Sequence, residues 1–170
     1  MPDEWFDVVD ENDAVVGREL RSFVHAKNLL HRAVHVLVFN SKGEIFLQKR
    51  SMKKDQCPGM WGSSAAGHLD SGEGYDHAAR REFREELGIE APPLERVAKI
   101  APGPETGYEH VRVYTCRADG PFDLCEEEIE RGEWRETTGL AEYMDAKPKE
   151  YTASLRTVWK AYLAKTSRAR

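Results

Sequence analysis

Apolar positions open the chain as Phe6, Val8 and Val9, stop at the polar run Asp10–Asp13, and resume at Val15 and Val16. That pattern predicts a short hairpin over residues 5–21. Residues 33–39 (AVHVLVF) form a run rich in β-branched and aromatic residues, the signature of a buried strand. The turn-forming stretch NSKG follows, and EIFLQKR then returns with Ile45 and Leu47 on one side, predicting a second hairpin. Residues 75–88 change period. Ala79, Phe83 and Leu87 recur every four residues, the stripe of an amphipathic helix, with Gly88 as its stop and Gly74 or Asp76 at its start.

Between these two regions lies a glycine-rich stretch, residues 51–74, with glycines at 59, 62, 67, 72 and 74. It predicts a long loop with one short strand around Ser63–Ala66, and loops of this length in a compact domain usually serve function. Beyond the helix, residues 96–102 and 110–118 predict strands, and a further strand ends near Trp134. Residues 138–144 and 154–165 predict helices, the second with Leu155, Val158, Trp159 and Tyr162 on one face. The basic end, 165–170, is expected to fray. Strands, a central helix, more strands and closing helices imply an α+β layered fold with a mixed sheet. With no linker or repeat, residues 1–170 are expected to form a single domain.

Composition narrows the possible partners. The net charge is −5, with both signs interspersed over 170 residues. A nucleic-acid surface would need a basic stripe, so nucleic acid is disfavoured, while a small phosphorylated ligand needs only a few local cations. No apolar run approaches the roughly 20 residues of a membrane span, and the start of the chain lacks the pattern of a secretory signal. Cys57, Cys116 and Cys125 have neither disulfide nor zinc spacing, which points to a reducing cytoplasm. A homodimer through the first 30 residues or the last helix stays open.

Glu82, Glu85 and Glu86 crowd one stretch of the central helix. Like charges at such spacings cost about 0.2–0.5 kcal/mol per pair on a helix surface. On a helical wheel they span roughly 100° beside the apolar stripe, bordering the buried side. A hard divalent cation, Mg²⁺ or Mn²⁺, would reverse the repulsion by taking these oxygens as ligands. The preceding glycine-rich loop could bring a backbone carbonyl to the same ion. Such a centre neutralises phosphate charge and activates water. Arg50, Lys53 and Lys54 lie between the strand EIFLQKR and the PGMW segment. Arg50 is the best-suited phosphate contact, because a guanidinium grips phosphate oxygens as a fork, with Lys54 beside it. Trp61 is expected to pack the core.

Residues 67–89, GHLDSGEGYDHAARREFREELGI, resemble the Nudix box at every fixed position. Gly67, Glu73, Arg81-Glu82, Phe83, Glu85-Glu86, Gly88 and Ile89 fall in the family's order and spacing. The resemblance implies an α/β/α sandwich with the box as loop–helix–loop, and Mg²⁺- or Mn²⁺-dependent hydrolysis of a diphosphate in a nucleoside diphosphate derivative or related pyrophosphate. It implies that Glu82, Glu85, Glu86 and the Gly67 carbonyl bind metal, and that Glu73 and Arg81 hold loop and helix together. Glu82 or Glu85 could take the proton from water. So could a glutamate outside the box, Glu128 or Glu109.

Residues 31–68 also resemble the isopentenyl-diphosphate isomerase branch of the family. His31 and His68 match two of that isomerase's metal-binding histidines. Ala66 stands where the isomerase has its catalytic cysteine, and a methyl group moves no proton, which disfavours isomerisation. A binding module without catalysis is the third alternative, and it would be favoured by loss of a box glutamate. All three are present.

Overall fold

The computed structural model describes residues 3–168. The N-terminal hairpin forms as expected. Strands β1 (Trp5–Val9) and β2 (Val15–Leu20) pair antiparallel and make a separate two-stranded sheet. The chain then turns into a short helix, α1 (Arg21–Ala26), where the sequence pattern had placed the end of the hairpin. Only Val24 of α1 is buried, so no apolar period announces it.

The main sheet has seven strands. Along it run β5 (Trp61–Gly62), β4 (Ile45–Arg50), β3 (His31–Phe39), β8 (Glu109–Arg117) and β7 (Glu95–Ile100), while β6 (Ala65–His68) pairs with β3 and β9 (Ile129–Arg135) with β4. β3 runs parallel to β8 and antiparallel to β4 and β6, so the sheet is mixed. The single short strand expected near Ser63–Ala66 is instead two, parted at Ser63 and Ser64. The Ser64 hydroxyl donates to the Phe46 carbonyl (2.5 Å) and accepts from the Val38 N–H (2.8 Å), linking the break to both neighbouring strands.

Helices cover both faces, giving the expected α+β sandwich. Val34, Val36 and Val38 pack with Ala79, Phe83 and Leu87 of α2 (Tyr75–Leu87). Ala33 and Leu37 pack instead with Met144 of α3 (Leu140–Asp145) and with Leu155, Val158 and Trp159 of α4 (Ala153–Arg168). β3 therefore has an apolar partner on each side, which is why its sequence shows almost no alternation. α4 is helical through Arg168, so fraying does not begin at Lys165, and the last two residues of the chain lie outside those described. Trp61 is buried in the α4 layer, the packing role expected of it.

α2 ends as its sequence predicts. Gly88 is left-handed at φ 73°, and its N–H donates to the Arg84 carbonyl (2.9 Å). The Asp123 and Cys125 N–H groups then cap the Leu87 and Glu86 carbonyls at 2.9 and 3.0 Å. Gly74 takes the N-cap position, with no side-chain cap.

Candidate active site

α2 presents its glutamates to a cavity of about 720 Å³, which is also lined by residues of β3, β4, β6 and the 51–57 loop. Glu86 is only 5% exposed. Its Oε1 accepts from the Ala66 N–H at 2.7 Å, and its Oε2 accepts from Gln48 Nε2 at 3.0 Å. Burial pushes its carboxyl up to about 7, against the pull of those two donors. Glu82 lies one turn earlier. Burial, and then the charge of Glu86, push it well above the usual carboxylate range even though Arg81 opposes the shift. Glu85 is the exposed member, at 54% of its side chain against 14% for Glu82.

Gly67 passes directly over Glu82. A Cβ at Gly67 would stand 2.1 Å from Glu82 Cδ, so only glycine lets the β6 backbone and this carboxylate come so close. Arg81 holds the loop to the helix. Its Nε and Nη2 bind the two oxygens of Glu73 at 2.7 and 2.8 Å, and Nη2 also donates to the His68 carbonyl at 3.0 Å. Its Nη1 reaches Glu82 Oε1 at 2.7 Å and Glu85 Oε2 at 3.2 Å. Burial opposes charge on Glu73, but the fork from Arg81 outweighs it and holds the carboxyl near 2. The pairing expected of Glu73 and Arg81 is present, and Arg81 also partners two of the candidate metal ligands.

The candidate phosphate contacts line the same cavity. Lys54 pairs with Glu128, and both act on Glu86 through their charges. Arg50 directs its Nε to the Gln56 carbonyl at 3.0 Å, fixing the loop that follows β4. Lys53 pairs with Glu127 at 2.8 Å on the exposed rim. The structure thus brings Gly67, Glu82, Glu85, Glu86, Glu128, Arg50 and Lys54 to one cavity.

A second cluster borders it. His25, His31, His68 and Glu109 each offer a ligand atom within 4.8 Å of the others. His31 Nδ1 lies 2.8 Å from the Leu29 carbonyl, which can only accept, so Nδ1 carries a proton and Nε2 is left facing the cluster. That Nε2 is buried without a hydrogen bond, 3.5 Å from Glu109 Oε1. His68 Nε2 donates to the same oxygen at 2.8 Å. His25 Nε2 is also buried and unpartnered, and burial lowers this ring to about 4. Glu109, a candidate base from sequence, also lines the cavity and lies among these imidazoles. Burial alone would raise it, but His68 and His31 hold it well below the usual range. His25 escaped the sequence reading because it sits on α1, whose six residues carry no legible period.

Both donor sets suit a cation, of different kinds. The box offers only oxygens, two of them on buried carboxylates that burial and like charge oppose, which fits Mg²⁺ or Mn²⁺. The histidine cluster mixes imidazole with carboxylate, the donor set of a transition metal.

Comparisons with known proteins agree with this geometry. The NUDIX domain family matches residues 29–155. A Yersinia pestis protein described as an uncharacterized Nudix hydrolase is 35% identical over 149 residues, covering 88% of this chain and 80% of its own length. An isopentenyl-diphosphate Delta-isomerase of Serratia proteamaculans is 31% identical over 163 residues, covering 93% and 90%. Among solved structures, a Deinococcus radiodurans protein superposes with a TM-score of 0.81 at 30% identity, over 92% of this chain and 98% of that one. The NUDIX domain of Shewanella oneidensis NrtR, complexed with ADP ribose, shares the fold at TM-score 0.60 and 17% identity. With every fixed box position filled, its glutamates gathered at one cavity, and the family matching three quarters of the sequence, this chain belongs to the Nudix family of pyrophosphohydrolases.

Proposed function

We propose that the chain is a Mg²⁺- or Mn²⁺-dependent hydrolase that cleaves a diphosphate linkage in a nucleoside diphosphate derivative or a related organic pyrophosphate. The observation that carries this reading is the pair of carboxylates in the cavity wall, the largely buried Glu82 beneath Gly67 and the buried Glu86 beneath the Ala66 N–H. In this reading Glu82, Glu85, Glu86 and the Gly67 carbonyl hold the metal. Bound there, the metal supplies charge neutralisation and a more acidic water. Arg50 and Lys54 orient the phosphates. Glu128 takes the proton as water attacks phosphorus, its carboxylate aligned by Lys54. Glu82 and Glu85 are the alternative acceptors, and Arg81, anchored by Glu73, keeps both aimed at the cavity.

The chain acts as one domain on a small-molecule diphosphate, and its three free cysteines support a reducing cytoplasm. No helix among the described residues is long and apolar enough to cross a membrane. A second reading, an isomerase acting on a prenyl diphosphate, is favoured by the histidine–Glu109 cluster and by the similarity to named isomerases. It is opposed by Ala66. Phosphate release from a panel of nucleotides, nucleotide sugars and isopentenyl diphosphate, with Mg²⁺, Mn²⁺ and EDTA, tests the two together. Metal-dependent release supports hydrolysis. Allylic isomer formed without phosphate release overturns it.

A further inference from the structure

One polar pair in the cavity has no part in the reading above. His35 on β3 lies opposite Ala66 on β6, so the cross-strand neighbour of its ring is only a methyl group. His35 Nδ1 lies 2.7 Å from Ser63 Oγ, and the two side chains are 7% and 2% exposed. The other ring nitrogen has no protein partner, yet it is not among the polar atoms sealed away from solvent. Both residues line the cavity, next to Gln48 and Thr152. The Ala66 N–H holds Glu86, so His35 stands one strand pair away from a candidate metal ligand.

A ring fixed on one side and open to the cavity on the other is built to meet a ligand. Burial lowers it to about 4, so the imidazole is neutral at physiological pH. Whichever tautomer the Ser63 contact selects, the free nitrogen of a neutral imidazole pairs with a hydroxyl as donor or acceptor, while it meets a phosphate oxygen only as a donor. The part of the ligand within its reach adjoins the diphosphate held at Glu86.

We propose that His35, positioned by Ser63, contacts the substrate and sets specificity by hydrogen-bonding an uncharged hydroxyl group beside the diphosphate, as on the ribose of a nucleoside diphosphate. This rests on the hydrolase reading for the placement of the diphosphate. A site that hydrogen-bonds such a group discriminates strongly against an analogue lacking it, because its own polar atom is then left unpaired.

The test compares kcat/KM for ribonucleoside diphosphates and their 2′,3′-dideoxy counterparts in wild type, His35→Leu, His35→Asn and Ser63→Ala. Wild type should prefer the ribose form by about tenfold or more. The ratio should fall toward one in His35→Leu, recover in part in His35→Asn, and take an intermediate value in Ser63→Ala. No ribose preference in wild type, or an unchanged ratio in the variants, overturns the proposal. So does a loss equal on both substrates that tracks the melting temperature. If wild type hydrolyses neither set, the wider panel decides the hydrolase reading, and equilibrium binding of the same compounds decides the contact. Ribose-dependent binding lost in His35→Leu supports it, while no binding or an unchanged preference overturns it.

Discussion

Glu86 and Glu109 line one cavity, both nearly sealed from solvent, and their surroundings push them in opposite directions. Glu86 meets a backbone N–H, an amide and other carboxylates, and it rises to about 7. Glu109 meets His68 and His31 and stays ionised far below the usual range. Burial is the largest influence on each and has the same sign. The difference lies in whether the protein itself supplies the positive charge. Around Glu109 imidazoles supply it. Around the box Arg81 and Lys54 do, the first divided among Glu73, Glu82 and Glu85 and the second paired with Glu128. The box is therefore the region left short of positive charge.

The sharpest way to break this comparison is to neutralise one member of the cation-poor set. Glu86→Gln keeps the shape and should lower kcat by about 10²–10³, comparable to removing one strong electrostatic contact in an active site. Phosphate release and circular dichroism read rate and fold together. A near-normal rate would transfer the chemistry to the histidine cluster. Gly67→Ala comes next. Its Cβ must displace the Glu82 carboxylate, and turnover should fall about 10–100-fold, the range for disturbing a ligand's support, with Mn²⁺ affinity falling in parallel in calorimetry.

Glu73→Gln tests the hub in terms of stability. The folded Glu73 carboxyl lies near 2, below its unfolded value. Its contribution is thus present above about pH 4.5 and is lost as pH falls toward 2. Wild type should exceed the variant by at most about 3 kcal/mol in urea unfolding at pH 7, and the gap should close near pH 2. The smallest expected effect is His68→Ala, which should leave hydrolysis within about tenfold of wild type, because it lies outside the box ligands and supports them only through neighbours. A loss as large as that of Glu86→Gln would make the two clusters a single functional unit.

The box was legible because its information is local. Twenty-three consecutive residues carry the candidate ligands, the helix stripe and the terminating glycine; the three glutamates and the stripe follow from spacing along one helix, and Gly67 came through the resemblance. The second cluster is assembled from α1, the start of β3, the end of β6 and the start of β8. Nothing in the spacing of residues 25, 31, 68 and 109 brings them together. That depends on the parallel pairing of β3 with β8 and on the β3–β6 register, which places His68 across from Ala33. The sequence offered His31 and His68 only through resemblance. Glu109 was readable as an acid without its partners, and His25 lay on a helix too short to show a period. The division at Ser63 and Ser64 was equally hidden, because hydroxyl bonds to neighbouring strands leave no periodic trace.

The capping of α2 has a mechanical consequence. The Cys125 N–H binds the Glu86 carbonyl, the Cys125 carbonyl accepts from the Glu128 and Ile129 N–H groups at 3.0 and 2.8 Å, and the Ser51 N–H donates to the Glu128 carbonyl at 2.9 Å. The helix end, the segment that carries the proposed base, and the start of the loop that carries Lys54 are riveted together by main-chain bonds. The backbone positions of Glu128 and Glu86 are thus fixed relative to each other, and only side-chain rotamers vary the separation of their carboxylates. Residues 123–128 form part of the frame, so any gating of this cavity falls to its other margins.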